Sequence, residues 1–157
     1  MRLTLVMVFC AMLAACASAG APIRMYEGTA RPDSEVATLL PPTIKDGSLV
    51  LYVDRVKTSN CTWNCSFHGP VQVLPGQHRI HTDWYLLKGA APDAVGVIPD
   101  DASEATDVSR TLKEDAYAFT FDSKLEAGKQ YVMRFAVGRK AGGQSRPYAW
   151  WQETSTN

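Results

Sequence analysis

The feature that most restricts the fold of this chain is an alternation of side chains with a period of two residues. In residues 49–56, Leu49, Leu51 and Val53 fall on one face of an extended segment, and the intervening side chains fall on the other. Residues 78–87 alternate in the same way. This period is typical of a β-strand with one buried face, and it dominates over any helical periodicity.

Turn signals separate the alternating segments. Pro75-Gly76 lies between residues 70–74 and the strand predicted at 78–87, and residues 125–130 separate two further segments rich in aromatic side chains. We predict a β-hairpin at each of these turns. The aromatic run at 148–152 is expected to form an edge strand.

Together these segments predict an all-β protein, a small antiparallel β-sandwich of about six or seven strands with little helix. Residues 88–114 are rich in Gly, Ala, Pro, Asp and Ser and carry no apolar stripe, so we expect a long exposed loop there.

The charge balance narrows the classes of partner. The chain has 16 basic and 16 acidic residues, and its basic residues form no polybasic run. Nucleic-acid binding normally requires an excess of positive charge, so we expect no nucleic-acid partner.

The N-terminal segment has the pattern of an export signal. Arg2 is followed by an apolar run from Leu3 to Ala15, about 13 residues long, whereas a membrane-spanning helix needs ~20. The run ends in Leu13-Ala14-Ala15, and Cys16 follows it. These four residues resemble the lipobox of bacterial lipoproteins. The resemblance implies that Cys16 becomes the lipid-modified first residue of the mature protein.

The same resemblance implies a destination. Ala17, rather than Asp, follows the lipidated Cys16, and in this family that choice is associated with the outer membrane, with the domain facing the periplasm. An alternative remains open, because Ala17-Ser18-Ala19 is also a plausible site for ordinary signal cleavage, which would release a soluble protein.

This interpretation divides the chain into three segments. Residues 1–15 are the signal peptide, 16–25 a lipidated tether and 26–157 a single β-sandwich domain. A domain of ~130 residues is large enough to bury one core.

Two cysteines remain in the expected domain, Cys61 and Cys65. In an oxidising compartment they most simply form a disulfide with each other, closing a very small loop. The alternative is a metal or redox site formed by Cys61, Cys65 and His68, although the C-x3-C spacing differs from the common C-x2-C patterns.

Residues 44–87 resemble PEGA-like and carboxypeptidase-regulatory-like sandwich domains. The resemblance rests on a strand ending near Asp54 and on the turn Leu74-Pro75-Gly76-Gln77-His78 before a strand that carries aromatic residues. Asp54-Arg55 stands where those families usually have Asp-Gly. The resemblance implies a non-catalytic module of the cell envelope.

The sequence contains none of the common catalytic or nucleotide-binding motifs, so we expect no enzyme, no catalytic residues and no cofactor. His78 and His81 are expected on opposite faces of one strand, where both cannot bind the same metal ion. Trp150 and Trp151 are adjacent, so their side chains point to opposite faces of a strand. We expect one of them to contact a partner, the alternative being that it packs under the long loop.

The function expected from the sequence is that of a lipid-anchored envelope lipoprotein. It would act as a non-catalytic binding or accessory module in the periplasm, with another envelope protein or the cell wall as partner. A metal-binding or redox protein is one alternative, and a soluble exported inhibitor or adhesin is the other.

Overall fold

A computed structural model describes residues 21–42, 47–58, 69–87, 98–110, 114–140 and 143–154. Their regular secondary structure is almost entirely β-strand, with a single 3-10 turn at Asp33–Glu35. The strands, in chain order, are β1 (Ile23–Arg24), β2 (Ala37–Leu40), β3 (Gly47–Val53), β4 (Val56–Lys57), β5 (Val71–Val73), β6 (Gly76–Leu87), β7 (Ser103–Glu104), β8 (Asp107–Arg110), β9 (Glu114–Leu125), β10 (Gln130–Gly138) and β11 (Arg146–Thr154).

The strands form two sheets. The first sheet has the order β1-β5-β2-β10-β11-β7, and the second has the order β4-β3-β6-β9-β8. Pairing is antiparallel except between β1 and β5 and between β2 and β10. The predicted all-β sandwich is therefore confirmed. It has more strands than predicted because several short ones lack a long alternating pattern.

Aromatic side chains join the two sheets. Phe135 on β10 lies in the first sheet, and its ring centroid is 4.9 Å from that of Trp84 and 5.1 Å from that of Tyr117, both in the second sheet. The ring of Phe119, also in the second sheet, meets the Phe135 ring edge-on, with centroids 5.8 Å apart. Burial of each such side chain contributes about 1.5–3 kcal/mol, so this cluster is a main source of stability.

The alternation of β6 is confirmed in detail. Ile80, Thr82, Trp84 and Leu86 are all buried. His81 lies on the opposite face and is partly exposed. The sequence pattern therefore assigned each side chain of this strand to the correct face.

Both predicted hairpins are wrong. β5 and β6 flank Pro75 but lie in different sheets, and the same holds for β9 and β10 on either side of residues 126–129. Each turn carries the chain across the sandwich, so the flanking strands pack through their side chains instead of pairing through their backbones. A hairpin does join β10 to β11, which pair from Gln130↔Thr154 to Gly138↔Arg146.

The segment predicted as one long exposed loop is also partly structured. Within it, β7 pairs with β11 in the first sheet, and β8 pairs with β9 in the second. Ile98 and Ala102 are each only 6% exposed. Residues 103–110 thus pass from one sheet to the other and close part of one edge of the sandwich.

The N-terminal part of the fold starts inside the predicted tether. β1 lies within residues 16–25 and forms parallel pairs with β5, and Met25 packs against the core. Among the described residues, no helix is long and apolar enough to cross a membrane.

Candidate binding cleft

The hairpin of β10 and β11 decides where the two neighbouring tryptophans lie. Ala149 and Trp151 face the second sheet and contact the main core, whereas Tyr148 and Trp150 face outward. Trp150 is nevertheless only 8% exposed, because Ile98 covers it on that outer face. Trp150 therefore packs under residues of the segment expected to be a loop.

Lys140 holds this cover in place. Its Nζ donates hydrogen bonds to the backbone oxygens of Asp100 at 2.7 Å and Ala102 at 2.9 Å. The same ammonium group lies 5.5 Å from the centre of the Tyr148 ring. One side chain thus fixes the turn at residues 99–102 over a small apolar cluster on the outer face of the first sheet.

Trp151 lies on the inner side, in an open cleft between the sheets that we call the edge cleft. Its volume is about 330 Å³. Its floor is aromatic and aliphatic, and its rim is polar and charged. The lining residues are Asp101, Ser103, Phe121, Asp122, Ser123, Lys124, Leu125, Tyr131 and Trp151.

Trp151, which lines the edge cleft, carries a buried hydrogen-bond donor. The Nε1 atom of Trp151 is buried and has no hydrogen-bond partner among the described residues. The Phe121 ring meets the indole edge-on, with centroids 6.1 Å apart. The indole N–H of Trp84, in the main core, is buried and without a partner among the described residues in the same way, so this atom does not by itself indicate a ligand.

Tyr131 completes the floor in a fixed orientation. Its hydroxyl oxygen accepts a hydrogen bond of 3.1 Å from the backbone N–H of Glu126, in the turn that crosses between the sheets. The ring is only 9% exposed. The cleft is therefore built from side chains that the surrounding strands already hold in position.

A second polar arrangement lies at the opposite edge of the sandwich, beside a groove of about 470 Å³ between β1 and β4. The two ring nitrogens of His78 lie 2.7 Å from Asp54 Oδ2 and 2.8 Å from the backbone oxygen of Leu74. His78 thus ties the turn before β6 to the turn after β3.

His81, on the opposite face of β6, contacts a different set of residues. It lies 3.1 Å from both Thr120 Oγ1 and Asp83 Oδ1, and it packs near the ring of Tyr52. The prediction that His78 and His81 occupy opposite faces is confirmed. Among the described residues, no group of three or more potential ligands is placed to hold a metal ion.

Several predicted site residues lie outside the described residues. These are Cys16, for lipidation, and Cys61, Cys65 and His68, for the disulfide or its metal-binding alternative. Their assignments stay predictions.

Sequence reasoning did not find most of the edge cleft. Phe121 and Tyr131 belong to the two aromatic-rich segments on either side of residues 125–130, and the hairpin predicted there would place both in one sheet, whereas they lie in different sheets. The sequence does carry one useful pattern, because alternate residues of β9 and of β11 point toward the core. When the two strands are assigned to different sheets, this pattern places Phe121 and Trp151 opposite each other.

The chain was also compared with known proteins. No protein-family model, no curated protein and no solved structure matches it. Its function must therefore be argued from its own residues.

Proposed function

We propose that this protein is a lipid-anchored lipoprotein of the outer membrane and that its β-sandwich is a non-catalytic binding module facing the periplasm, with the edge cleft as its binding site. The observation that carries the binding role is the edge cleft itself, an open cavity of about 330 Å³ whose lining includes the aromatic side chains of Phe121, Tyr131 and Trp151. A concave site with aromatic walls and a few polar groups is the usual form of a ligand-binding site.

The segment between the expected lipid anchor at Cys16 and the first strand is short. About six residues separate Cys16 from the start of β1 at Ile23, and when extended they span ~20 Å. A lipid on Cys16 would hold the domain close to the bilayer surface, within reach of other envelope proteins or the cell wall.

Metabolic labelling with a fatty acid tests the anchor. We expect the native protein to incorporate label and to sediment with membranes, and Cys16→Ala to lose both properties. Cys10→Ala is the matched control, because Cys10 lies inside the expected signal peptide and its loss should leave labelling intact. An unlabelled Cys16→Ala protein that localises as the native one does would remove the anchor from the proposal.

Site-specific photo-crosslinking tests the cleft. A photoreactive amino acid is placed at Ser123 in the cleft wall or, as a control, at Val56, which is 59% exposed at the far edge of the sandwich. We expect specific adducts from Ser123 that Trp151→Ala strongly reduces. Equal adducts from both positions, or adducts indifferent to Trp151→Ala, would contradict the assignment of the cleft.

A further inference from the structure

The imidazole of His78 lies between two oxygen atoms. Its Nδ1 is 2.7 Å from Asp54 Oδ2, and its Nε2 is 2.8 Å from the backbone oxygen of Leu74. The side chain is only 14% exposed, so the protein supplies most of its surroundings. A neutral imidazole has one N–H donor and one nitrogen that accepts, whereas the charged ring donates from both nitrogens. The proton count of His78 therefore depends on what its two partners can do.

Both partners of His78 accept hydrogen bonds. The Leu74 oxygen belongs to a carbonyl group, which has no proton to give. Burial tends to raise the pKa of Asp54, but the hydrogen bonds from His78 and the Arg79 N–H, together with the charge of His78, lower that pKa below 3.8. Asp54 is therefore ionised from about pH 5 upward, and both of its oxygens accept. Two acceptors around one ring fit the doubly protonated, charged form of His78.

His81, on the same strand, shows the contrasting arrangement. Its Nε2 is 3.1 Å from Asp83 Oδ1, and its Nδ1 is 3.1 Å from Thr120 Oγ1. A threonine hydroxyl both donates and accepts, so a neutral His81 can donate from Nε2 to Asp83 and accept at Nδ1 from Thr120. The contacts of His81 thus survive the loss of a proton, whereas His78 faces a carbonyl where His81 faces a hydroxyl.

Other titratable groups share the groove between β1 and β4 with His78. They are Arg24, Tyr26, Glu27, Asp54 and Lys57. Two cations and two anions are present, and of these four Asp54 bonds the ring directly. On the neighbouring strand β9, the residue paired with His78 is the uncharged Ser123, and on β6 itself the charged neighbour is Arg79. The Asp54 carboxylate is therefore the main electrostatic partner of the ring.

We propose that His78 is a proton-dependent clasp that holds the turn at Leu74-Pro75 against the turn at Asp54-Arg55 and releases it when the ring loses a proton. Histidine ordinarily changes charge between about pH 5 and 8. The proton lost is the one on Nε2, because the bond from Nδ1 to the carboxylate is the stronger of the two. The lone pair of Nε2 then faces the Leu74 oxygen across 2.8 Å, and the two repel.

The turn at Leu74-Pro75 is the side of the clasp that moves. Asp54 is tied to Arg79 twice, since its N–H donates to the Arg79 oxygen at 2.8 Å and its Oδ1 accepts the Arg79 N–H at 2.9 Å. Leu74 and Pro75 are exposed, in the connection that crosses from the first sheet to the second. Because Asp54 and His78 line the groove between β1 and β4, the shape of that end of the groove would depend on pH. This inference is independent of the binding role of the edge cleft.

NMR of the mature lipoprotein in detergent tests the clasp on the native protein. The ring ¹⁵N signals of His78 and His81 and the carbonyl ¹³C signal of Leu74 are followed from about pH 4.5 to 8.5. We expect His78 to carry two protons in acid and to keep only the Nδ1 proton when neutral, whereas a neutral His81 keeps the Nε2 proton. The Leu74 signal should shift with the same midpoint as the His78 ring.

Three outcomes of this titration would overturn the proposal. They are a His78 ring whose charge does not change over this pH range, a neutral His78 that keeps its proton on Nε2, and a Leu74 signal that does not follow the ring. Each would show that loss of a proton from His78 does not release the turn.

A pair of variants tests the energetic consequence. His78→Asn keeps a donor near the Nδ1 position but is too short to reach Leu74. The charged ring stabilises the fold only while it is protonated, so we expect His78→Asn to lower the folding equilibrium constant about tenfold at about pH 5 and less than threefold at about pH 8.5. His81→Asn is the matched control and should have the same effect at both pH values. Urea unfolding measures all of these, and a loss in His78→Asn that is equal at the two pH values would overturn the clasp.

Discussion

The imidazole of His78 and the carboxylate of Asp54 are joined by a contact of 2.7 Å between Nδ1 and Oδ2. Asp54 has a φ of 50° and Arg55 a φ of 71°, and together they form the two-residue turn between β3 and β4. The other carboxylate oxygen of Asp54 accepts the N–H of Arg79 at 2.9 Å. Side-chain bonds therefore hold a residue whose backbone conformation glycine would adopt more easily.

Replacement of Asp54 should destabilise this turn. We expect Asp54→Ala to lower the free energy of unfolding by about 1–2 kcal/mol, because it loses both side-chain bonds and Ala is strained at positive φ. Asp54→Asn is the matched control, since Asn tolerates this conformation and still accepts a hydrogen bond, so it should cost about half as much. Urea unfolding measures both, and equal losses would show that the side-chain bonds contribute little.

The same pair predicts a pH dependence. Burial tends to raise the pKa of Asp54, but the hydrogen bonds from His78 and the Arg79 N–H, together with the charge of His78, lower that pKa below its usual value of 3.8. A lowered pKa in the folded state stabilises the protein at pH values above 3.8, and this stability is lost as the pH falls through the folded-state value.

The stability difference between the native protein and Asp54→Asn should therefore be present above about pH 5 and decline as the pH falls below 3.8. Urea unfolding at a series of pH values measures it. A difference that stays constant into strong acid would show that the charge on Asp54 is not its source.

Thr82 offers a stabilising substitution. Its side chain is fully buried on β6, and its Oγ1 atom has no hydrogen-bond partner among the described residues. Thr82→Val replaces the unpaired hydroxyl by a methyl group of similar shape, so we expect the protein to gain about 1 kcal/mol of stability. Thr82→Ala should destabilise it by leaving a cavity. Thermal unfolding of both variants checks this, and a loss of stability in Thr82→Val would reveal a partner for the hydroxyl.

Substitution of Gly138 tests how tightly Ile98 packs over the outer face of the first sheet. A Cβ atom there would lie 2.9 Å from both Cγ1 and Cδ1 of Ile98. We expect Gly138→Ala to cost about 1–2 kcal/mol of stability, and to cost less in an Ile98→Ala background. Gly69→Ala is the control, because its Cβ would meet no atom of the described residues within 4 Å. Chemical unfolding gives the comparison, and equal effects of the two alanines would mean that Ile98 does not pack on Gly138.

The cysteine pair gives a chemical prediction. We expect the exported protein to show no free thiol from Cys61 or Cys65 and a mass two hydrogens below that of the reduced chain. Two free thiols together with bound zinc would favour the metal-binding alternative with His68. Thiol counting under denaturing conditions and mass spectrometry distinguish the two.

The candidate site shows which contacts a pattern within one segment of sequence cannot predict. Adjacency alone placed the side chains of Trp150 and Trp151 on opposite faces of a strand, and this is what the structure has. Adjacency does not reveal that Ile98, far away in sequence, covers Trp150 on the outer face, that Lys140 bonds to the distant turn at residues 99–102, or that Trp151 lies in the edge cleft. These contacts join segments tens of residues apart, and no local pattern encodes such distances.

By itself, the sequence determined that this chain is all-β and which face of a strand such as β6 is buried, because these properties depend on an alternation that each segment carries. Only the tertiary structure decided which strands pair. The turns before β6 and after β9 read as hairpins, yet each leads to the opposite sheet, since a short turn joins two strands equally well within one sheet or across a sandwich. That choice depends on the packing of Trp84, Phe119 and Phe135 between the sheets, and the same packing leaves the edge cleft open beside β9.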